Sequence, residues 1–171
     1  MRRTPLGRML VNDGRIDDLQ LQRAINHQAQ WGGRIGEALV AMGFVSEQVM
    51  LRTVARQLGV PFMEIGHRSI PPALVQLLPE RLIRRRRLLP VALLGTARGP
   101  LVVAFSDPAD LSAIDEAGFA AGMPVRPVLA GERDLERAIA RSLEGVDHAW
   151  LQPVELPPDP GPMRLTGSYW S

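Results

Sequence analysis

Lysine and cysteine are both missing from this 171-residue chain. Without cysteine there is no disulfide, no thiolate zinc site and no thiol nucleophile. Without lysine there is no P-loop, because the G-x4-G-K-[ST] pattern needs an ammonium to hold the phosphates. A self-sufficient ATPase of the P-loop kind is thereby excluded, and all 20 basic residues are arginine. No uncharged apolar run approaches membrane-spanning length. The basic start MRRTPLGRML lacks a following apolar h-region, so no secretory signal is read and a cytoplasmic location is expected. The formal charge of +2 is too small to argue for nucleic acid. No G-x-S-x-G nucleophile motif and no convincing pair of catalytic acids is present. His27, His67 and His148 are scattered without ligand spacing, so neither a metal site nor a catalytic activity is expected.

What is present is a duplication. Residues 5–28 read PLGRMLVNDGRIDDLQLQRAINHQ, and residues 34–57 read RIGEALVAMGFVSEQVMLRTVARQ. The copies pair Leu6 with Ile35, Gly7 with Gly36, Leu10 with Leu39, Gly14 with Gly43, and Gln28 with Gln57. Such repeats are one supersecondary unit made twice, and they usually stack to bury a shared apolar face. Leu6, Met9 and Leu10 share one side of a short helix, as do Ile35, Ala38 and Leu39. Gly14 and Gly43 stand where a helix C′ residue takes the left-handed conformation. Asp17 and Ser46 are read as N-caps of a second helix, with Gln20 completing a capping box in the first copy. Ile16 with Leu21, and Val45 with Met50, have the spacing of hydrophobic staples. Each copy is thus a helical hairpin, and the two are expected to form a four-helix layer over residues 1–57.

Residues 58–145 read as a small α/β domain with three strands and helices, which makes the chain α+β. Pro71 and Pro72 open a helix carrying Leu74, Leu77, Leu78, Leu82 and Ile83, and Pro79 is expected to kink or split it. LLPVALLG (88–95) and PLVVAFSD (100–107) read as two strands joined through TARG in a hairpin. Asp110 is expected to cap a helix with Ile114 and Phe119 inward, closed by Gly122. A third strand over 124–130 and a last helix over 132–143 follow. The four arginines Arg84–Arg87 read as a solvated helix end, with docking of an acidic partner second. From Val146 onward the chain holds five of its 15 prolines and reads as a tail or linker, with Trp150, Tyr169 and Trp170 in it.

The repeats resemble the MshEN domain, the N-terminal domain of type II secretion and type IV pilus assembly ATPases. That family's tandem motif runs R-L-G-x-x-L-V-x-x-G-Φ-Φ-x4-L-x3-L-x2-Q, each Φ apolar, in two copies with a five-residue spacer. The second copy matches throughout, from Arg34, Ile35 and Gly36 to Leu39, Val40, Gly43, Phe44, Val45, Met50, Val54 and Gln57. The first departs at Pro5, where the motif has arginine, and at Arg15, where it has an apolar residue. AFSDPADL and PVRPVLAGERDLERAI resemble the family's later segments, so the likeness extends from residue 5 to about 145.

The resemblance implies binding of cyclic di-GMP, two guanosines joined in a two-fold ring by two phosphates. A duplicated hairpin suits such a ligand, one copy gripping each half. Guanine offers O6 and N7 to an arginine fork and its face to a guanidinium, and a glutamine amide can bond a base edge or a phosphate. Glycine at a helix start lets the backbone approach phosphate. The site residues implied are Arg34, Gly36 and Gln57 from copy two and Gly7 and Gln28 from copy one, with apolar contacts from Leu6, Leu10, Ile35 and Leu39. The two glutamines favour a site because nothing structural is seen to ask for glutamine twice at one phase. Arg8 lies three positions beyond Pro5 and is expected to stand too far round to replace the missing arginine. Two functions follow: a non-catalytic cyclic di-GMP-binding regulatory module, or a protein-interaction adaptor of the same fold that docks on secretion or pilus machinery without nucleotide. DNA reading fits poorly, because residues 18–28 carry only Arg23, offset by Asp18.

Overall fold

The computed structural model describes residues 4–95, 99–107 and 109–144. Its backbone divides into two compact units, Met1–Phe62 and Met63–Ser171. The tail from Val146, Arg3 and most of the TARG turn lie outside the described residues.

In the first unit each repeat is a helical hairpin. Copy one gives α1 (Leu6–Asn12) and α2 (Asp18–Trp31), and copy two gives α3 (Ile35–Ala41) and α4 (Glu47–Leu58). Both first helices end in the same Schellman closure. Gly14 donates to the Val11 carbonyl and Arg15 to the Leu10 carbonyl; Gly43 donates to Val40 and Phe44 to Leu39. Gly14 and Gly43 hold φ of 65° and 71°, which glycine adopts at little cost. An apolar residue usually follows such a glycine and packs back on the helix. Phe44 does so, whereas Arg15 stays exposed. Asp17 accepts the Gln20 N–H at 2.7 Å while its own N–H donates to the Gln20 side chain at 2.9 Å, a complete capping box. Ser46 Oγ accepts from Val49 at 3.3 Å. The helices then pair across the repeats, α2 packing on α3 and α1 on α4. Neither hairpin keeps its apolar face to itself. The shared core holds Leu10, Ile16, Leu21 and Ala24 from copy one with Ala38, Leu39, Val45 and Met50 from copy two.

The second unit is a three-stranded mixed sheet with helices. Strands β1 (Leu88–Leu93), β2 (Leu101–Phe105) and β3 (Val125–Leu129) lie in that order, β1 antiparallel and β3 parallel to β2. Proline cannot donate to a ladder and is confined to edges and irregularities. Pro90 and Pro127 accordingly sit in the two edge strands, and the register of β1 shifts just after Pro90. Central β2 is buried along its whole length. Pro79 splits the preceding helix, leaving α5 (Pro72–Val75) and α6 (Glu80–Arg86). Asp110 caps α7 (Leu111–Ala121) by accepting from Ala113 at 3.1 Å, and α8 (Glu132–Glu144) closes the described chain.

Two expectations for this unit are corrected. Phe119 is not inward but 92% exposed. The face of α7 turned to the core is set by Ala113 and Ala117, with Ile114 beside them. Phe119 lies two residues past Ala117, about 200° round the helix. Nor is Arg84–Arg87 a bare solvated end. Arg84 pairs with Glu80 at 2.8 Å, Arg85 with Glu116, Arg86 with Glu116 at 2.8 Å and with Ser112 Oγ at 3.2 Å, and Arg87 with Glu132 and Glu136. Arg87 takes φ of 50° at the helix end, which turns the chain from α6 into β1. Arg85, Arg86 and Arg87 thus tie the end of α6 to α7 and α8, and Arg84 pairs within α6, while Arg84, Arg85 and Arg87 stay more than half exposed.

Candidate functional site

A groove of about 380 Å³ opens in the first unit. Pro5, Leu6, Gly7 and Arg8 line it from the start of α1, and Asp18, Leu21, Gln22 and Ile25 from α2; Ile35 enters from copy two. Leu6 and Ile35 occupy the same position in the two motifs, so the groove lies where the two copies meet. Its walls are apolar along Leu6, Leu21, Ile25 and Ile35. One polar pair marks the rim: Arg8 Nη1 lies 2.6 Å from Asp18 Oδ1.

Of the residues the sequence singled out, Leu6, Gly7 and Ile35 line this groove. Arg34 is exposed at the N-terminus of α3, immediately before Ile35. Its backbone N–H donates to Glu37 Oε2 at 3.0 Å, and its guanidinium makes no ion pair among the described residues. Leu10 and Leu39 are each 0% exposed. They belong to the core shared by the repeats and do not line this groove. Gly7 and Gly36 are buried as well. A Cβ on Gly7 would stand 2.4 Å from Leu21 Cδ1, and one on Gly36 would stand 3.0 Å from Met50 Sδ. At both places the second helix of the same hairpin packs close against the glycine, and a Cβ there would displace the tip of Leu21 or Met50.

The glutamines also have a structural duty that went unseen in the sequence. Gln28 Nε2 donates to the Gly33 carbonyl at 2.8 Å, and Gln57 Nε2 donates to the Thr4 carbonyl at 2.8 Å. Gly33 and Thr4 are the residues just before the first motif position of copy two and copy one. Each copy's last residue therefore clasps the entry to the other copy's first helix. The acceptors are backbone carbonyls outside the motif, which is why no side-chain pattern announced them. Arg8, Asp18, Gln22 and Ile25 were likewise missed as groove residues. Pro5 and Arg8 are i, i+3 neighbours, and Asp18, Gln22 and Ile25 are spaced i, i+4, i+7, spacings that place residues on one helix face. Chemically the site offers apolar walls, a paired cation and a nearby unpaired one. That suits an anionic ligand with flat apolar surfaces. No group of three or more histidine, aspartate or glutamate side chains is placed to hold a metal among the described residues, and no helix there is long and apolar enough to cross a membrane.

Comparison with known proteins gives this architecture a class. The family model for the MshEN domain matches residues 58–149, more than half of the chain. A solved structure of MshE with cdg (cyclic di-GMP) superposes with a TM-score of 0.68 at 33% identity, over 82% of this chain and 99% of that one. That share of this chain exceeds the second unit alone, so the superposition extends into the repeats. Two type IV pilus assembly ATPases named PilB match in sequence. The one from Myxococcus xanthus is 32% identical over 80% of this chain, and the one from Thermus thermophilus is 34% identical over 71%. The chain belongs to the MshEN domain family. It spans only 24% and 14% of the length of those two relatives.

Proposed function

We propose that this chain is a non-catalytic regulatory module that binds cyclic di-GMP, serving secretion or pilus machinery of the kind its relatives belong to. The observation that carries this reading is the place of the groove, at the junction of two repeat-related positions, Leu6 and Ile35. A two-fold ligand seated there would lie against copy one and reach copy two at Ile35. The exposed guanidinium of Arg34 beside Ile35 supplies the charge for one phosphate or guanine, and the likeness to MshE with cdg supports the ligand class. The absence of lysine leaves no P-loop to hydrolyse ATP or GTP.

Calorimetric titration of cyclic di-GMP into the purified chain tests this directly. Arg34→Ala should weaken binding by about thirty-fold, the equivalent of ~2 kcal/mol for a desolvated cation–π contact. Equal affinity in wild type and variant would remove Arg34 from the site. A second reading, an adaptor that docks without nucleotide, is favoured by Pro5 and Arg15, both departures lying in copy one. It becomes the reading to keep if neither protein binds.

A further inference from the structure

Copy one lacks the motif's arginine, yet its groove does not lack a guanidinium. Pro5, the residue capping α1, and Arg8 in its first turn line the same groove. The repeat-related pair in copy two is Arg34 and Glu37, with the cation at the first position and an acid where copy one has Arg8. Each copy thus presents one arginine near its first turn, at the first motif position in copy two and at the fourth in copy one. We propose that Arg8 is the ligand-contacting cation of copy one, standing in for the arginine that Pro5 displaces, and that Asp18 holds it at the rim until ligand arrives. This deepens the cyclic di-GMP reading and rests on it.

The geometry supports an exchange of partners. Arg8 Nη1 sits 2.6 Å from Asp18 Oδ1, and the two side chains are 58% and 75% exposed. An ion pair so open to water contributes little to stability, so surrendering it is inexpensive. A phosphate oxygen or the O6/N7 edge of guanine offers the same fork a bidentate partner inside a groove with apolar walls, where it is better shielded from water. Asp18 acts in the opposite sense. Its carboxylate faces the space an anionic ligand would enter, and Arg8 screens it. Because Asp18 competes for the guanidinium and repels phosphate, it sets the affinity of this half of the site downward.

The test is a calorimetric titration of the whole chain with cyclic di-GMP, and in parallel with cyclic di-AMP. Four proteins are compared: wild type, Arg8→Ala, Arg8→Lys and Asp18→Asn. Arg8→Ala should weaken cyclic di-GMP binding about ten-fold or more, Arg8→Lys should recover part of the loss, and Asp18→Asn should tighten binding about three-fold. Loss confined to cyclic di-GMP places Arg8 on a guanine edge, and equal loss for both nucleotides places it on phosphate; either result supports the proposal. Thermal midpoints by circular dichroism should agree across the set to within a few degrees, separating contact from folding. If wild type binds and Arg8→Ala binds as tightly, Arg8 is not a contact and the proposal falls while the ligand reading stands. Binding by Asp18→Asn alone would support the exchange in its strongest form. If none of the four binds, the ligand reading fails and takes the proposal with it.

Discussion

Phe105→Ala should lower the free energy of unfolding by about 3–5 kcal/mol, a large part of the ~5–15 kcal/mol that holds a typical domain together. Phe105 ends the central strand β2, is 2% exposed, and is the largest fully buried side chain among the described residues. It pairs with Leu88 on one side and Leu129 on the other, so the strand is held in place and removing the ring leaves a cavity on the packed face of the sheet. The surface control is Phe119→Ala, the same deletion at a position 92% exposed, which should change stability by no more than about 0.5 kcal/mol. Urea titrations followed by circular dichroism measure both. Similar losses in the two variants would overturn the assignment of Phe119 to the surface and of Phe105 to the core.

Leu10→Ala and Leu39→Ala should each cost about 2–5 kcal/mol, and by similar amounts. The two leucines occupy the same phase in the two repeats, both are 0% exposed, and the carbonyl of each accepts a hydrogen bond in a Schellman closure. Methionine keeps most of the volume, so Leu39→Met should cost less than about 1.5 kcal/mol. The methionine variant also separates packing from recognition. If it melts like wild type yet loses cyclic di-GMP, Leu39 touches the ligand after all, and the groove must open further than it does here. Retained affinity is the outcome expected of a core residue.

Most of the local structure was legible in the sequence, for a physical reason. Caps, staples and Schellman closures are short-range devices whose partners lie within six residues, so Asp17, Gln20, Ser46, Gly14 and Gly43 announce them in order. The split at Pro79 and the pairing of β1 with β2 followed from equally local rules. What stayed hidden depended on partners far away in the chain or on backbone atoms. The hydrogen bonds of Gln28 and Gln57 could not be read in advance because their acceptors are carbonyls, which carry no side-chain signature. The pairing of Arg85 and Arg86 with Glu116 crosses about thirty positions, and that of Arg87 with Glu132 spans 45. A run of like charge therefore read as solvated. Phe119 misled through its size: the core face of α7 is made of alanines, and a large aromatic drew the eye to the wrong phase. Gly7 and Gly36 were singled out for the approach of a ligand, and the close packing of Leu21 and Met50 against them carried no signal in the sequence.

The glutamine clasp has a consequence for the order in which the chain assembles. The two bonds are the same in length and differ in the stretch of chain they close, five residues from Gln28 to Gly33 and 53 from Gln57 to Thr4. Closing the longer loop costs about 2 kcal/mol more in chain entropy. The short clasp therefore forms as soon as α2 meets the spacer, while the long one waits until both hairpins are in register. Gln57→Ala should accordingly leave the folding rate unchanged and speed unfolding about five-fold, as befits a contact of ~1 kcal/mol made after the rate-limiting step. Stopped-flow folding and unfolding rates would show it, and a slowed folding arm would place the long clasp in the nucleus instead. Two repeats with equal end states thus differ in their histories, because covalent connection gives one clasp a near partner and the other a distant one.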